Sequence, residues 1–139
     1  MRIAGYIRER PPAAGGEPAF AQAERIRRYA ADHAYDLVTV CQDAATPGRT
    51  DATAGFRALL AVVASGAVDT VVIASVEALG DDVEMQEVLA WELKRRGVGV
   101  VSTRSGDDTV LDESTPDEIR RTARRVLERV EDLGRLLTG

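Results

Sequence analysis

The sequence predicts an α/β fold: an open, mostly parallel sheet of four to five strands, helices on both faces, and a long C-terminal helix. Three observations predict it. Short apolar runs rich in β-branched residues stand at 2–7, 37–41, 70–75 and 98–102. They are continuous rather than alternating, as in strands covered on both faces. Segments of helical period lie between them, with connections short enough for right-handed crossovers.

The first run, Arg2-Ile3-Ala4-Gly5-Tyr6-Ile7, leads to a helix over about 18–34. Pro18 stands in its first turn, and Phe20, Ala23, Ile26 and Ala30 share one side. After the second run, Leu37-Val38-Thr39-Val40-Cys41, a helix over about 52–65 carries Phe56, Leu59, Leu60 and Val63 and stops at Gly66. The third run precedes a helix over about 82–96, opened by Gly80-Asp81-Asp82 and carrying Met85, Val88, Leu89 and Leu93 before Gly97. The fourth run completes the alternation. No repeat, linker or low-complexity stretch divides residues 1–139, so one domain is expected.

The last segment is different. Thr115-Pro116-Asp117-Glu118 is a helix start with a capping-box pair, predicting a helix over about 116–138. Ile119, Ala123, Val126, Val130, Leu133 and Leu137 follow at spacings of 4, 3, 4, 3 and 4. That is a heptad seam, the pattern of a dimer contact. Leu127 and Leu136 widen the stripe, as in a helix packed on its own sheet, and both readings stand at this point. The other face carries Arg120, Arg121, Arg124, Arg125, Arg129 and Arg135.

Composition bounds the function. At 45% apolar and 29% charged residues, the chain reads as globular rather than disordered. No apolar run is long enough for a membrane span, and the N-terminus lacks a signal-peptide pattern. One cysteine, Cys41, fits a reducing compartment and a cytoplasmic location. One histidine, His33, argues against a zinc site or a histidine-centred triad, so no metal or cofactor is expected. A net charge of −5 disfavours gripping nucleic acid over the whole surface. Of the 18 basic residues 17 are arginine, which suits phosphate or carboxylate recognition. The 21 alanines and absent asparagine fit coding bias equally well.

In an open parallel sheet the site lies beyond the carboxyl ends of the strands. Those ends carry Arg8 and Arg10, then Asp43, then Ser75 and Glu77, then Arg104. They suit a phosphate cradle or a rim of ion pairs, in which Arg8 pairs with Asp43 or Glu77. Gly15-Gly16 before the first helix lacks the rest of any phosphate-loop motif.

Several of these stretches, in order, resemble the catalytic domain of serine recombinases of the resolvase/invertase type. Tyr6-Ile7-Arg8 resembles its opening; Gln22, Ile26 and Tyr29-Ala30 its first helix; and Asp36-Leu37-Val38 its second strand. Asp43 through Gly48, Gly55 with Leu59-Leu60, and Gly66-x-Val68-Asp69-x-Val71-Val72 continue the likeness. Leu79-Gly80, Arg96-Gly97-Val98-Gly99-Val100 and Thr115-Pro116 complete it across nearly the whole chain. The resemblance implies this fold, a C-terminal dimerisation helix, and a serine that attacks a DNA phosphodiester while arginines stabilise the transferring phosphate.

The chemistry is where the chain departs from that pattern. Arg10 stands at the aligned serine position, and residues 11–17 contain no Ser, Thr or Cys. Two further arginine positions fall on Ala78 and Asp81, and a third on Thr53, with Arg49 nearby. Tyr6, Arg8, Gln22, Asp43 and, conservatively, Glu77 remain. The expectation is therefore a catalytically inactive, homodimeric regulatory or structural protein, pairing with itself or with a recombinase relative. No helix-turn-helix domain is expected within residues 1–139. A second reading is a DNA-binding accessory protein using Arg120, Arg121, Arg124 and Arg125 on the last helix, binding weakly. A third is an active DNA strand-cleaving enzyme with a relocated nucleophile such as Ser75.

Overall fold

The computed structural model describes residues 1–10, 15–44 and 54–138. Its centre is β1 (Arg2–Glu9), whose residues Ile3 to Ile7 are buried on both faces. It pairs with β2 (Asp36–Ala44) on one side and β3 (Thr70–Ile73) on the other, and β4 (Gly99–Ser102) adds beyond β3. The order is β2-β1-β3-β4, all parallel, so the switch in strand order falls at β1. That places the functional edge at the C-terminal end of β1.

Each face of the sheet has its own core. Helix α1 (Ala19–Asp32) lays Ile26 and Ala30 against Ile3, Ile7 and Val72. On the other face α2 (Ala54–Ala64) and α3 (Val83–Lys94) pack Phe56, Leu59, Val63, Ala90 and Leu93 over Tyr6, Val71 and Ile73. A short α4 (Asp107–Leu111) and the long α5 (Glu118–Thr138) complete the chain. No helix among the described residues is long and apolar enough to cross a membrane.

The elements stand where the sequence predicts, with informative differences. Strands β1 and β2 run further, so Arg8 and Asp43 lie inside strands rather than after them, directly paired in register. Phe20 is 77% exposed rather than on the buried side of α1, because the inward face is the row Gln22, Ile26 and Ala30, four residues apart, and Phe20 lies off it. Asp117, not Thr115, caps α5: its Oδ1 accepts from Ile119 N at 2.9 Å, while Thr115 is buried. Helix α3 differs most. Met85 and Val88 sit at the surface, while Gln86 and Glu87 face inward with Ala90 and Leu93.

That rotation is explained by α5. Glu87, 3% exposed, accepts from Arg120 Nη1 at 3.1 Å, and Gln86 Oε1 accepts from Arg120 Nη2 at 2.6 Å. Arg124 donates to both Glu87 oxygens and to the carbonyls of Val110 and Asp112. Arg120 and Arg124 thus face the body, and the apolar stripe of α5 faces away. Ile119, Val126, Val130, Leu133 and Leu137 are all more than half exposed. A helix packed on its own sheet through that stripe is not what forms.

Candidate functional site

The site is built from the end of β1 outward. Tyr6, fully buried, donates its hydroxyl to Asp43 Oδ2 on the neighbouring strand at 2.6 Å. Burial first, and then the Asp43 carboxylate, pushes the Tyr6 phenol far above its ordinary range. Asp43 also accepts from the backbone N–H groups of Gly55 (2.7 Å) and Phe56 (2.9 Å). It therefore satisfies the open donors at the start of α2 and fixes that helix to the sheet. Only glycine fits at 55: a Cβ there would lie 2.2 Å from the Gln42 carbonyl oxygen. Tyr6 and Asp43 form a structural pair, and Asp43 does not pair with Arg8.

Arg8 finds another partner. Its Nη1 and Nη2 donate to the two oxygens of Asp81 at 2.8 and 3.1 Å, a bidentate fork. Arg10 Nε lies 3.2 Å from the same carboxylate, an ion pair without hydrogen-bond geometry. The bond from Arg8 is the main reason Asp81 is held below the usual carboxylate range, and it raises Arg8 in turn. Asp81 occupies an alignment position where an arginine was expected. It neutralises the arginines beside it instead of joining them.

Gln22, buried at the start of α1, donates its amide to the carbonyls of Arg8 (3.1 Å) and Glu17 (2.7 Å). Glu9 accepts from Ala19 N at 2.6 Å and so caps α1, a role the sequence reading missed. On the far side, Glu77 and Arg104 pair at 3.0 Å. Burial alone would raise the Glu77 carboxyl. The polar groups around it, its own backbone N–H, Ser75 and the Arg104 guanidinium, outweigh burial and hold it low. Arg104 is fastened in turn by Asp107, whose buried carboxylate also accepts from Val76 N and Ser102 Oγ. Asp107 too went unrecognised; its only local signal is the Arg104-to-Asp107 spacing across a tight turn.

These groups surround a cleft of about 260 Å³ into which Arg8, Arg10, Arg25 and Arg104 reach, together with Glu17 and Glu77. Gly16 forms part of its wall, where a Cβ would meet Arg10 Cβ at 2.8 Å. The charges pair off: Arg8 and Arg10 with Asp81, Arg25 with Glu17, and Arg104 with Glu77 and Asp107. Ser75 lines the cleft beside Glu77, which is paired with Arg104. No three His, Cys, Asp or Glu side chains gather as a cation site among the described residues. Arg49, Thr53 and the loop from residue 45 to Gly48 lie outside the described residues, as do residues 11–14.

The four arginines assigned to a DNA face divide. Arg120 and Arg124 are spent on Glu87, Gln86 and backbone carbonyls, which removes them from the surface set. Arg121 and Arg125 stay exposed, bonded only within the helix, to Glu118 and Thr122.

Three solved structures share the fold. The N-terminal catalytic domain of TP901-1 integrase superposes with a TM-score of 0.62 at 20% identity, each chain covered completely. A resolvase family site-specific recombinase from Streptococcus pneumoniae gives 0.65 at 18% identity, covering 99% of this chain and 93% of that one. The C-terminal catalytic domain of ISC1926 TnpA, an IS607-like serine recombinase, gives 0.63 at 17% identity, covering 94% and 99%. No curated protein matches the sequence. The model of the resolvase N-terminal domain matches residues 3–135, and with the sheet, the arginine-lined edge and the long last helix in place, the chain belongs to the resolvase family of serine recombinase domains.

Proposed function

We propose that this recombinase domain does not cleave DNA and acts as a dimer-forming regulatory or structural unit. It pairs with a second copy or with a recombinase relative. The observation that carries the reading is the Asp81 carboxylate seated on Arg8 and Arg10, with Arg10 itself at the aligned nucleophile position. A transferring phosphate needs uncommitted positive charge and an attacking hydroxyl. Here the charge is spent internally, and Glu77, the carboxylate beside Ser75, is itself paired with Arg104.

The outward stripe from Ile119 to Leu137 supports self-association, since a lone exposed helix leaves contiguous apolar surface in water. Between Ile119 and Val126 it borders a groove over α3 that includes Val88. Light scattering on the purified chain tests the first half of the reading: a monomer at tens of micromolar overturns dimerisation. Incubation with supercoiled plasmid under conditions that trap protein–DNA adducts tests the second half, and a covalent adduct overturns inactivity. Weak DNA contact is a second reading, narrowed to Arg121 and Arg125 with Arg129 and Arg135 beyond them. Salt-dependent titration decides it, and no binding at low salt ends it.

A further inference from the structure

The sheet ends at β4, and no strand among the described residues pairs with its outer side. Register fixes which backbone groups that leaves open. Gly99 N donates to the Asp69 carbonyl at 3.3 Å and Thr103 N to the Ile73 carbonyl at 2.9 Å. Gly99, Val101 and Thr103 therefore face β3. Alternation turns the N–H and C=O groups of Val100 and Ser102 outward, and they bond to no described residue. Sheet edges are commonly blunted by a bulge, a proline or a lysine on the strand itself. The opposite edge follows that rule: β2 takes in an extra residue, Val38, where its pairing with β1 shifts. β4 pairs with β3 without a shift, and Gly99, Val100, Val101 and Ser102 include neither a charge nor a proline.

A groove of about 390 Å³ lies beside this edge, between β4 and the residues of α4 and the turn that follows. Three carboxylates, Asp108, Asp112 and Glu113, line it with one ammonium, Lys94, which donates to the Leu111 carbonyl at 2.7 Å. The groove is thus net negative. A second copy brought edge to edge would set the same carboxylates against each other, so charge opposes self-pairing here. A basic strand meets complementary charge and open ladder groups together.

We propose that the outer edge of β4 accepts an extended, basic segment of a partner protein as a fifth strand. Backbone bonds to Val100 and Ser102 supply the pairing, and the three carboxylates select lysine or arginine side chains. The groove shares no lining residue with the cleft or with the apolar face of α5, so the proposal holds whether or not the chain cleaves DNA.

The test is fluorescence anisotropy of the full chain with a labelled peptide of alternating lysine and valine, at low ionic strength. Methylating every backbone nitrogen of the peptide keeps its charge and removes its donors, and is expected to weaken binding about tenfold or more. V100P removes an outward N–H without touching the ladder to β3 and is expected to act to a similar extent. D112N/E113Q is expected to weaken binding about fivefold. Circular dichroism checks each variant, and the methylated peptide decides if V100P does not fold. Absence of binding by the lysine peptide overturns the proposal. Undiminished binding of the methylated peptide overturns it too, being the mark of charge attraction alone. So does undiminished binding by D112N/E113Q, which places the peptide elsewhere on an acidic surface. A peptide with glutamate in place of lysine is expected not to bind, and equal binding by it overturns the basic assignment.

Discussion

Replacing Glu87 by alanine isolates what holds α5 to the body. Glu87 is buried and receives hydrogen bonds from both Arg120 and Arg124. Arg120 is itself buried and keeps only Gln86 and, at 3.6 Å, Asp117 once Glu87 is gone. Removing one partner of a buried ion pair costs about 3–5 kcal/mol, mostly because the other charge stays stranded. The remaining contacts of Arg120 and the partial exposure of Arg124 put the expected cost at the lower end, about 3 kcal/mol. For a domain of this size each kcal/mol moves the midpoint by roughly 3 °C, so E87A is expected to melt about 9 °C lower. Urea unfolding followed by circular dichroism measures the free energy directly. The E87A/R120A double variant closes the cycle, with an expected coupling above about 1 kcal/mol. A loss under about 1 kcal/mol for E87A, the scale of an exposed ion pair, refutes the reasoning, as does simple additivity in the cycle.

Other outcomes follow from the same contacts. Y6F leaves the buried Asp43 without its hydroxyl donor and is expected to cost about 1–3 kcal/mol in urea unfolding. G55A forces a Cβ onto the Gln42 carbonyl. Unless α2 shifts, it is expected to cost more than about 4 kcal/mol, read as loss of the cooperative melt. Asp81 is depressed in the folded state, so its contribution is present above about pH 4 and fades as pH falls through its folded value. The stability gap between the unaltered protein and D81N should therefore shrink on acidification below that point, and a pH-independent gap contradicts the assignment. V130D/L133D is expected to give a monomer in light scattering with an unchanged helical spectrum.

Much of the fold was legible because its strands are continuous β-branched runs. Tyr6, Gln22 and Asp43 were expected as residual site residues, and in the structure they bind α1 and α2 to the sheet edge. What local pattern hid was pairing over distance. Gln86 and Glu87 carry no local sign of burial because their partners, Arg120 and Arg124, lie more than thirty residues away. Periodicity then assigned the inward face of α3 to Met85 and Val88. The partner of Arg8 was hidden in the same way: Asp81 is 73 residues distant, and nothing local distinguishes it from the neighbouring cap, Asp82.

The orientation of α5 also bears on the order of events in assembly. A helix that hides its apolar side in a partner folds only when the partner arrives, and pays the ordering entropy on binding. The first turns of this helix are seated on the body by buried charge, with the apolar side left over. In the proposed dimer, association through the near end of that side is docking between surfaces already in place, second order in concentration. Dilution of the proposed dimer is expected to separate copies whose α5 first turns remain in place.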